Sequence, residues 1–339
     1  MNDPVNTGDW RDVSASDHVS VLPEVIPPAF RELIEYSKGS DALLRQIMYS
    51  PLEERVTDGE LCDPLGEARY LVTPWLVHQY QNRVLLLATG RCIGYCRYCF
   101  RRSFTSRSEG FITPEEIEFL CDWLARHPDV QEILVSGGDP LSGTYDELVH
   151  LLSSIRRARS DILIRLCTRA PVFAPQLFTT ALMDFLCSLK PLWLIPHINH
   201  PDELGLAQRS CLEQFINRGI PVQSQSVLLS GVNDDAHVLA NLFHTLVCIG
   251  VKPGYLFQCD MAPGTSHFRL PLDRALSLYK ELSSLLSGLS LPVFAVDLPG
   301  GGGKFPLSSV TRTARVVVEN GQTQLCAEGP DGKVYTYSP

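Results

Sequence analysis

Three cysteines constrain this chain more than anything else in it. They stand as Cys92-Ile-Gly-Tyr-Cys96-Arg-Tyr-Cys99, directly after the apolar run 83–88. Three thiolates on one short loop after a strand converge on a single centre. On a four-iron cluster three protein ligands leave one iron open to a group that is not protein, which separates a reactive cluster from an electron-storing one. A zinc ion would want a fourth Cys or His at matching spacing. Unrelated core cysteines would have no reason to keep the spacing.

The remaining cysteines set the compartment. There are 11 in all, an odd number, and eight are scattered singly, while the N-terminus Met-Asn-Asp-Pro-Val lacks the basic and apolar regions of a signal peptide. A reducing cytoplasm is the expectation. No apolar run approaches the roughly 20 residues of a membrane span, and a formal charge of -9 argues against a nucleic-acid surface. The expected partner is a small molecule.

At 339 residues and 45% hydrophobic, the chain is long enough for one large α/β domain with additions. The first 80 residues are polar and proline-punctuated, with a helical apolar pattern after Pro28, and read as a mainly helical accessory segment. From there short apolar runs alternate with amphipathic stretches, the rhythm of βα units. Strands are expected at 83–88, 132–135, 162–166, 192–196, 221–227, 254–258 and 292–296. A helix is expected over Pro114–Arg126, with Thr113 as N-cap and Glu116 completing a capping box. The fold class is therefore α/β, a partial parallel barrel of (β/α)6 type over 81–305, followed by a short C-terminal tail at 306–339.

In such barrels chemistry gathers at the carboxyl ends of the strands, and polar residues recur at those ends here. The cysteine loop follows the first strand and Ser136-Gly137-Gly138-Asp139-Pro140 the second. Thr168-Arg169 follows the third and His197-Ile-Asn199-His200 the fourth, Gln225 lies late in the fifth, Asp260 follows the sixth, and Asp297 ends the last. Any one of these has an ordinary explanation as a turn or a core residue. Two adjacent glycines let a backbone approach a ligand closely. Pro299-Gly300-Gly301-Gly302-Gly303-Lys304 carries four glycines in succession, a large entropic cost unless the backbone must pass near something bulky. Alone it would read as a flexible linker with a surface lysine. At a barrel mouth its amine is placed to form a Schiff base.

The CxxxCxxC spacing resembles the radical S-adenosylmethionine (SAM) enzymes, in which the open iron of a [4Fe-4S] cluster chelates SAM. In those enzymes a turn like Ser136 to Pro140 meets the SAM amino group, and Arg169, His197 and Gln225 stand where groups surround its carboxylate, adenine and ribose. Together with the glycine-lysine motif, the chain resembles the lysine 2,3-aminomutase family over residues 63–304. That resemblance implies that Lys304 holds pyridoxal 5'-phosphate (PLP), that Tyr80 and Arg83 meet its phosphate, and that Arg101 pairs with the substrate carboxylate, for which a guanidinium fork is suited. The plain alternative for Arg101 and Arg102 is a solvated basic pair. Asp260 and Asp297 match the two aspartates that meet the far end of lysine; otherwise Asp297 would cap the glycine loop and Asp260 would pair with Arg269.

The implied activity is the interconversion of L-lysine and β-lysine by SAM-initiated radical 1,2-amino migration on PLP, with a low-potential donor such as flavodoxin or ferredoxin reducing the cluster. Longer members end in a cysteine-rich zinc-binding extension. This chain has only Cys326 beyond Lys304, so no zinc is expected and the oligomeric state, including a homo-oligomer, stays open. A shorter branch supplies (R)-β-lysine for elongation factor P, and this chain shares its length and the Leu43-Leu44-Arg45-Gln46 segment, whereas Asp297 and the four glycines look like the metabolic enzymes. A radical SAM activase, an electron-transfer protein and a zinc-binding interaction module are the other classes weighed. Only the first of these would keep the SAM turn.

Overall fold

The computed structural model describes residues 22–105, 110–310, 314–319, 322–328 and 333–337. Its frame is a run of parallel strands. After a short hairpin of β1 (Leu71–Thr73) and β2 (Leu76–Tyr80) come β3 (Arg83–Leu87), β4 (Glu132–Ser136), β5 (Leu163–Thr168), β6 (Leu192–Pro196), β7 (Gln223–Leu228), β8 (Lys252–Gln258) and β9 (Val293–Leu298). Neighbours from β3 to β6 and from β7 to β9 pair in parallel. Single parallel bridges, Leu194 with Val222 and His197 with Gln225, carry the sheet across from β6 to β7. Helices connect each strand to the next, as a parallel pairing requires. Antiparallel strands flank the run, β2 beside β3 and β10 (Gly303–Pro306) beside β9, and no pairing of β3 with β9 closes it. This is the open barrel expected from the βα rhythm.

Side chains alternate along each strand. Val84, Leu86, Ile133, Val135, Ile164, Leu166, Leu194 and Leu256 are essentially inaccessible and belong to one hydrophobic core. Their neighbours Leu85, Leu134, Arg165, Cys167, Ile195, Gln225, Tyr255 and Phe257 instead line an internal cavity. The barrel is thus apolar where helices cover it and mixed where it faces inward, with Arg165 and Gln225 set among apolar and aromatic side chains. Helix Pro114–Arg126 has the expected capping box: the Glu116 amide donates to Thr113 Oγ1 at 3.2 Å and the Thr113 amide to Glu116 Oε2 at 2.7 Å.

Two differences concern the ends. Residues 22–80 share the main core, with Phe30, Leu43 and Ile47 wholly buried and Phe30 edge-on to Phe173 at 5.1 Å. The sheet also begins at β1, inside the segment expected to be accessory and mainly helical. At the other end, where a short tail was expected, β11 (Ala314–Glu319), β12 (Gln322–Glu328) and β13 (Val334–Tyr337) form a separate antiparallel sheet. The run Val316-Val317-Val318 has strong strand propensity. Among the described residues, no helix is long and apolar enough to cross a membrane.

Candidate active site

One cavity of ≈ 570 Å³ gathers almost every residue singled out in the sequence. Cys92, Cys96, Cys99, Arg101, Ser136, Gly137, Gly138, Asp139, Arg169, His197, Gln225, Asp260, Asp297, Lys304, Tyr80 and Arg83 all line it. Pro140 does not: it is buried behind the turn, where it opens the helical turn Pro140–Ser142.

The cysteine loop and the Ser136 to Pro140 turn are locked together. The Gly138 amide donates to Thr89 O at 2.6 Å and the Asp139 amide to Arg91 O at 2.7 Å. A Cβ on Gly137 would fall 2.4 Å from Thr89 O, and one on Gly138 would fall 2.0 Å from Arg91 O. The close approach that demands glycine is therefore to the backbone just before Cys92, in addition to any ligand. Asp139 is similarly committed within the protein. Its carboxylate accepts from Thr168 Oγ1 at 2.7 and 2.9 Å, from the Leu141 amide at 2.9 Å and from the Arg169 amide at 2.8 Å. It ties the ends of β4 and β5 together, and these hydrogen bonds offset the burial that pushes its carboxyl upward.

Arg169 is buried and donates from Nη1 to Cys96 Sγ at 2.9 Å. Its Nη2 donates to Gln46 Oε1 at 2.7 Å and to Glu203 Oε2 at 3.1 Å, and Asn199 Nδ2 joins the same Gln46 oxygen at 3.0 Å. Asn199 stands among the polar residues at the strand ends, whereas Gln46 and Glu203 were absent from the sequence reading as site residues; Gln46 lies in the Leu43 segment noted only for its resemblance. His197 stacks on Tyr98, with centroids 5.5 Å apart. Burial, then the Arg169 charge, lowers its pKa to about 3, so it stands as a neutral imidazole. Its Nε2 is buried without a partner among the described residues, and such a polar atom calls for a water or a ligand.

The donors suit an iron-sulfur cluster. Burial, followed by the charges of Cys99, Asp139 and Cys96, drives the Cys92 thiol well up, and burial pushes Cys99 up to about 11. Such a set stays ionised only with a positive group among the sulfurs. Three thiolates on one loop, each able to take its own iron, would hold a [4Fe-4S] cluster.

In the same cavity, β10 returns along β9 and sets Lys304 opposite Asp297. Lys304 Nζ lies 3.3 Å from both Asp297 oxygens and 3.9 Å from the centre of the Phe257 ring. Burial lowers its pKa, and Asp297 partly restores it. The Lys304 amide donates to the Tyr80 hydroxyl at 3.0 Å, and the Arg83 guanidinium lies over the Tyr80 ring at 3.7 Å. An amine disposed toward neutrality, with a phenol and a guanidinium beside it, fits PLP. In the glycine run, Gly300, Gly301 and Gly303 have φ of 67°, 87° and 78°, a region closed to most residues.

Asp260 sits near this pair. Burial, then the Asp297 charge, raises its carboxyl to about 7. Arg269 approaches only its backbone carbonyl, at 3.4 Å, and forms its ion pair with Glu60, so the Arg269 alternative does not hold for the carboxylate. Arg101 and Arg102 are not a solvated pair. Arg102 is 1% exposed and bound to Glu53, while Arg101 donates from Nε and Nη2 to Glu67.

Comparison with known proteins gives the family. The radical SAM superfamily matches residues 86–243. The chain is 54% identical over 331 residues to a putative L-lysine 2,3-aminomutase of Treponema pallidum, covering 97% of this chain and 93% of that one. The chain belongs to the lysine 2,3-aminomutase family. It is 35% identical over 320 residues to the L-lysine 2,3-aminomutase of Clostridium subterminale, covering 94% and 76% of the two chains. It is 36% identical over 284 residues to that of Escherichia coli, covering 83% and 82%. The cofactors of the family are a [4Fe-4S] cluster, SAM and PLP.

Proposed function

We propose that this chain interconverts L-lysine and β-lysine by radical 1,2-amino migration. The observation that carries the choice of substrate is the pair Asp260 and Asp297 on one cavity wall, with the Asp260 carboxyl pushed up to about 7 by burial and by Asp297. Two carboxylates in one half-buried place are relieved by a cation, and the ε-ammonium of lysine is one. A substrate with a side-chain carboxylate would be repelled there.

When bound, SAM supplies a radical that abstracts hydrogen, and PLP carries the migrating nitrogen. The protein's part is placement. Cys92, Cys96 and Cys99 hold the iron, and the Arg169 N–H to Cys96 adjusts the charge on that sulfur. Gly137, Gly138 and the end of β4 offer backbone to SAM, while Asp139 braces them through Thr168. His197 and Gln225 border the same space. Lys304 anchors PLP covalently, and Tyr80 and Arg83 meet its phosphate. Arg101 receives the substrate α-carboxylate. The electron comes from a low-potential donor such as a flavodoxin or ferredoxin.

The test is amine analysis of an anaerobic reaction containing PLP, SAM, a reductant and either L-lysine or L-glutamate. β-Lysine should form, and Asp260→Ala and Asp297→Ala should each raise KM and lower kcat. The loss per site should be about 3 to 5 kcal/mol where the contact is fully buried. Preference for glutamate would overturn the substrate and leave the radical chemistry standing.

A further inference from the structure

Glu67 is a buried carboxylate in the active-site cavity that the reaction described above does not use. It is 6% exposed and lies against Arg101. Arg101 is held side-on: Nε donates to Glu67 Oε2 at 3.3 Å and Nη2 to Oε1. Among the described residues nothing hydrogen-bonds to Nη1. The guanidinium therefore keeps an open edge, formed by Nη1 and the second proton of Nη2, on a side chain that lines the cavity. That edge is the one a second carboxylate takes when an arginine is shared between two.

The mounting of Glu67 is equally specific. Its amide donates to Asp63 Oδ1 at 3.0 Å and the Ala68 amide to Asp63 Oδ2 at 2.9 Å, so Asp63 holds the start of the turn Glu67–Tyr70. The same turn grips the glycine run that leads to Lys304. Arg69 Nη1 donates to Gly300 O at 2.8 Å and the Tyr70 hydroxyl to Gly301 O at 3.1 Å. Gly66 packs so closely that a Cβ there would fall 2.4 Å from the Gly301 amide nitrogen. One turn thus touches both the residue that receives the substrate carboxylate and the loop that bears the residue anchoring its amino group.

We infer that Glu67 is a positioning residue for the α-carboxylate of the substrate: it takes the inner edge of Arg101 and presents the outer edge at a fixed distance from Lys304. The inference rests on the reading of Arg101 proposed above. An unbraced arginine has many rotamers, and Glu67 removes them before substrate arrives.

The probe is a pair of ligands that differ only in the carboxylate, L-lysine and 1,5-diaminopentane. Each is titrated into PLP-loaded protein, with equilibrium binding followed by the visible absorbance of PLP. In the isosteric Glu67→Gln protein the half-saturating concentration of L-lysine should rise about tenfold, and further in Glu67→Ala, while that of 1,5-diaminopentane stays within about twofold of wild type. Equal weakening of both ligands would mean that Glu67 only supports the loop, and would overturn the inference. So would unchanged lysine binding, or tighter binding, which would make Glu67 a competitor of the substrate. Arg101→Lys in the same titration separates the two readings. If it leaves the preference for lysine over diaminopentane intact, the assignment of Arg101 fails; if it removes that preference and Glu67→Gln does not, only the role of Glu67 fails.

Discussion

Lys304 and Asp297 are partners across the antiparallel pair of β9 and β10, with Nζ 3.3 Å from each carboxylate oxygen. Asp297 is the charge that keeps the buried amine from falling further in pKa. Attachment of PLP needs a neutral amine. In Asp297→Asn protein the amine loses that support, so its pKa drops, and the rate at which PLP adds to the cofactor-free protein should reach half its maximum at a lower pH than in wild type. Stopped-flow absorbance across a pH series measures this directly. An unchanged or upward-shifted profile would show that Asp297 does not govern the amine.

Asp260 gives a pH dependence of the opposite kind. Its carboxyl is raised to about 7, by burial first and Asp297 second. Between the ordinary carboxylate range and about pH 7 the folded protein holds a proton that the unfolded chain has lost, so stability falls as pH rises through that window. Asp260→Asn removes the effect. The ligand-free variant should gain about 1 to 3 kcal/mol over wild type at pH 8 and little or nothing at pH 4, seen as a Tm difference that widens with pH. A constant difference would refute the raised carboxyl.

The cysteines divide sharply. Cys96→Ala should lose iron and activity, while Cys121→Ala and Cys248→Ala should keep both, since neither of those thiols lines the cavity. Iron analysis of anaerobically purified protein decides it; full iron content in Cys96→Ala protein would remove the cluster from this loop.

Two glycines should respond very differently to the same substitution. Gly138→Ala forces a methyl to 2.0 Å from the Arg91 carbonyl, and rigid backbone on both sides makes a cost of about 2 to 4 kcal/mol, with loss of iron because the cysteine loop moves. Gly300→Ala meets open space and keeps only the strain of φ 67°, about 1 kcal/mol. Thermal unfolding and iron content report both, and equal effects would contradict the packing described here.

Lys304→Ala should abolish the borohydride-stable pyridoxyl adduct yet retain iron and slow reductive cleavage of SAM, because the substitution leaves Cys92, Cys96 and Cys99 untouched. Peptide mass spectrometry locates the adduct. Finding it on Lys252 or Lys280 in wild-type protein would move PLP away from the barrel mouth.

The sequence alone determined whatever depends on neighbours along the chain. The cysteine spacing, the glycine turn at 136–140, the glycine-lysine run and the βα rhythm are local patterns, and β6 falls at Leu192–Pro196 as the apolar run implied because strand periodicity is written residue by residue. Only the tertiary structure decided which charges face one another. Apart from the family resemblance, residue type and charge do not separate Arg101 from Arg102, yet one lines the cavity and the other is sealed against Glu53. Asp139 reads as a ligand-facing acid, but its carboxylate is taken up by Thr168 and the Arg169 amide. Glu67, 34 positions before Arg101, carried no signal at all. The reason is physical: a buried carboxylate is stable only beside a partner that folding brings to it, and long-range pairing of that kind leaves no period or motif in the chain.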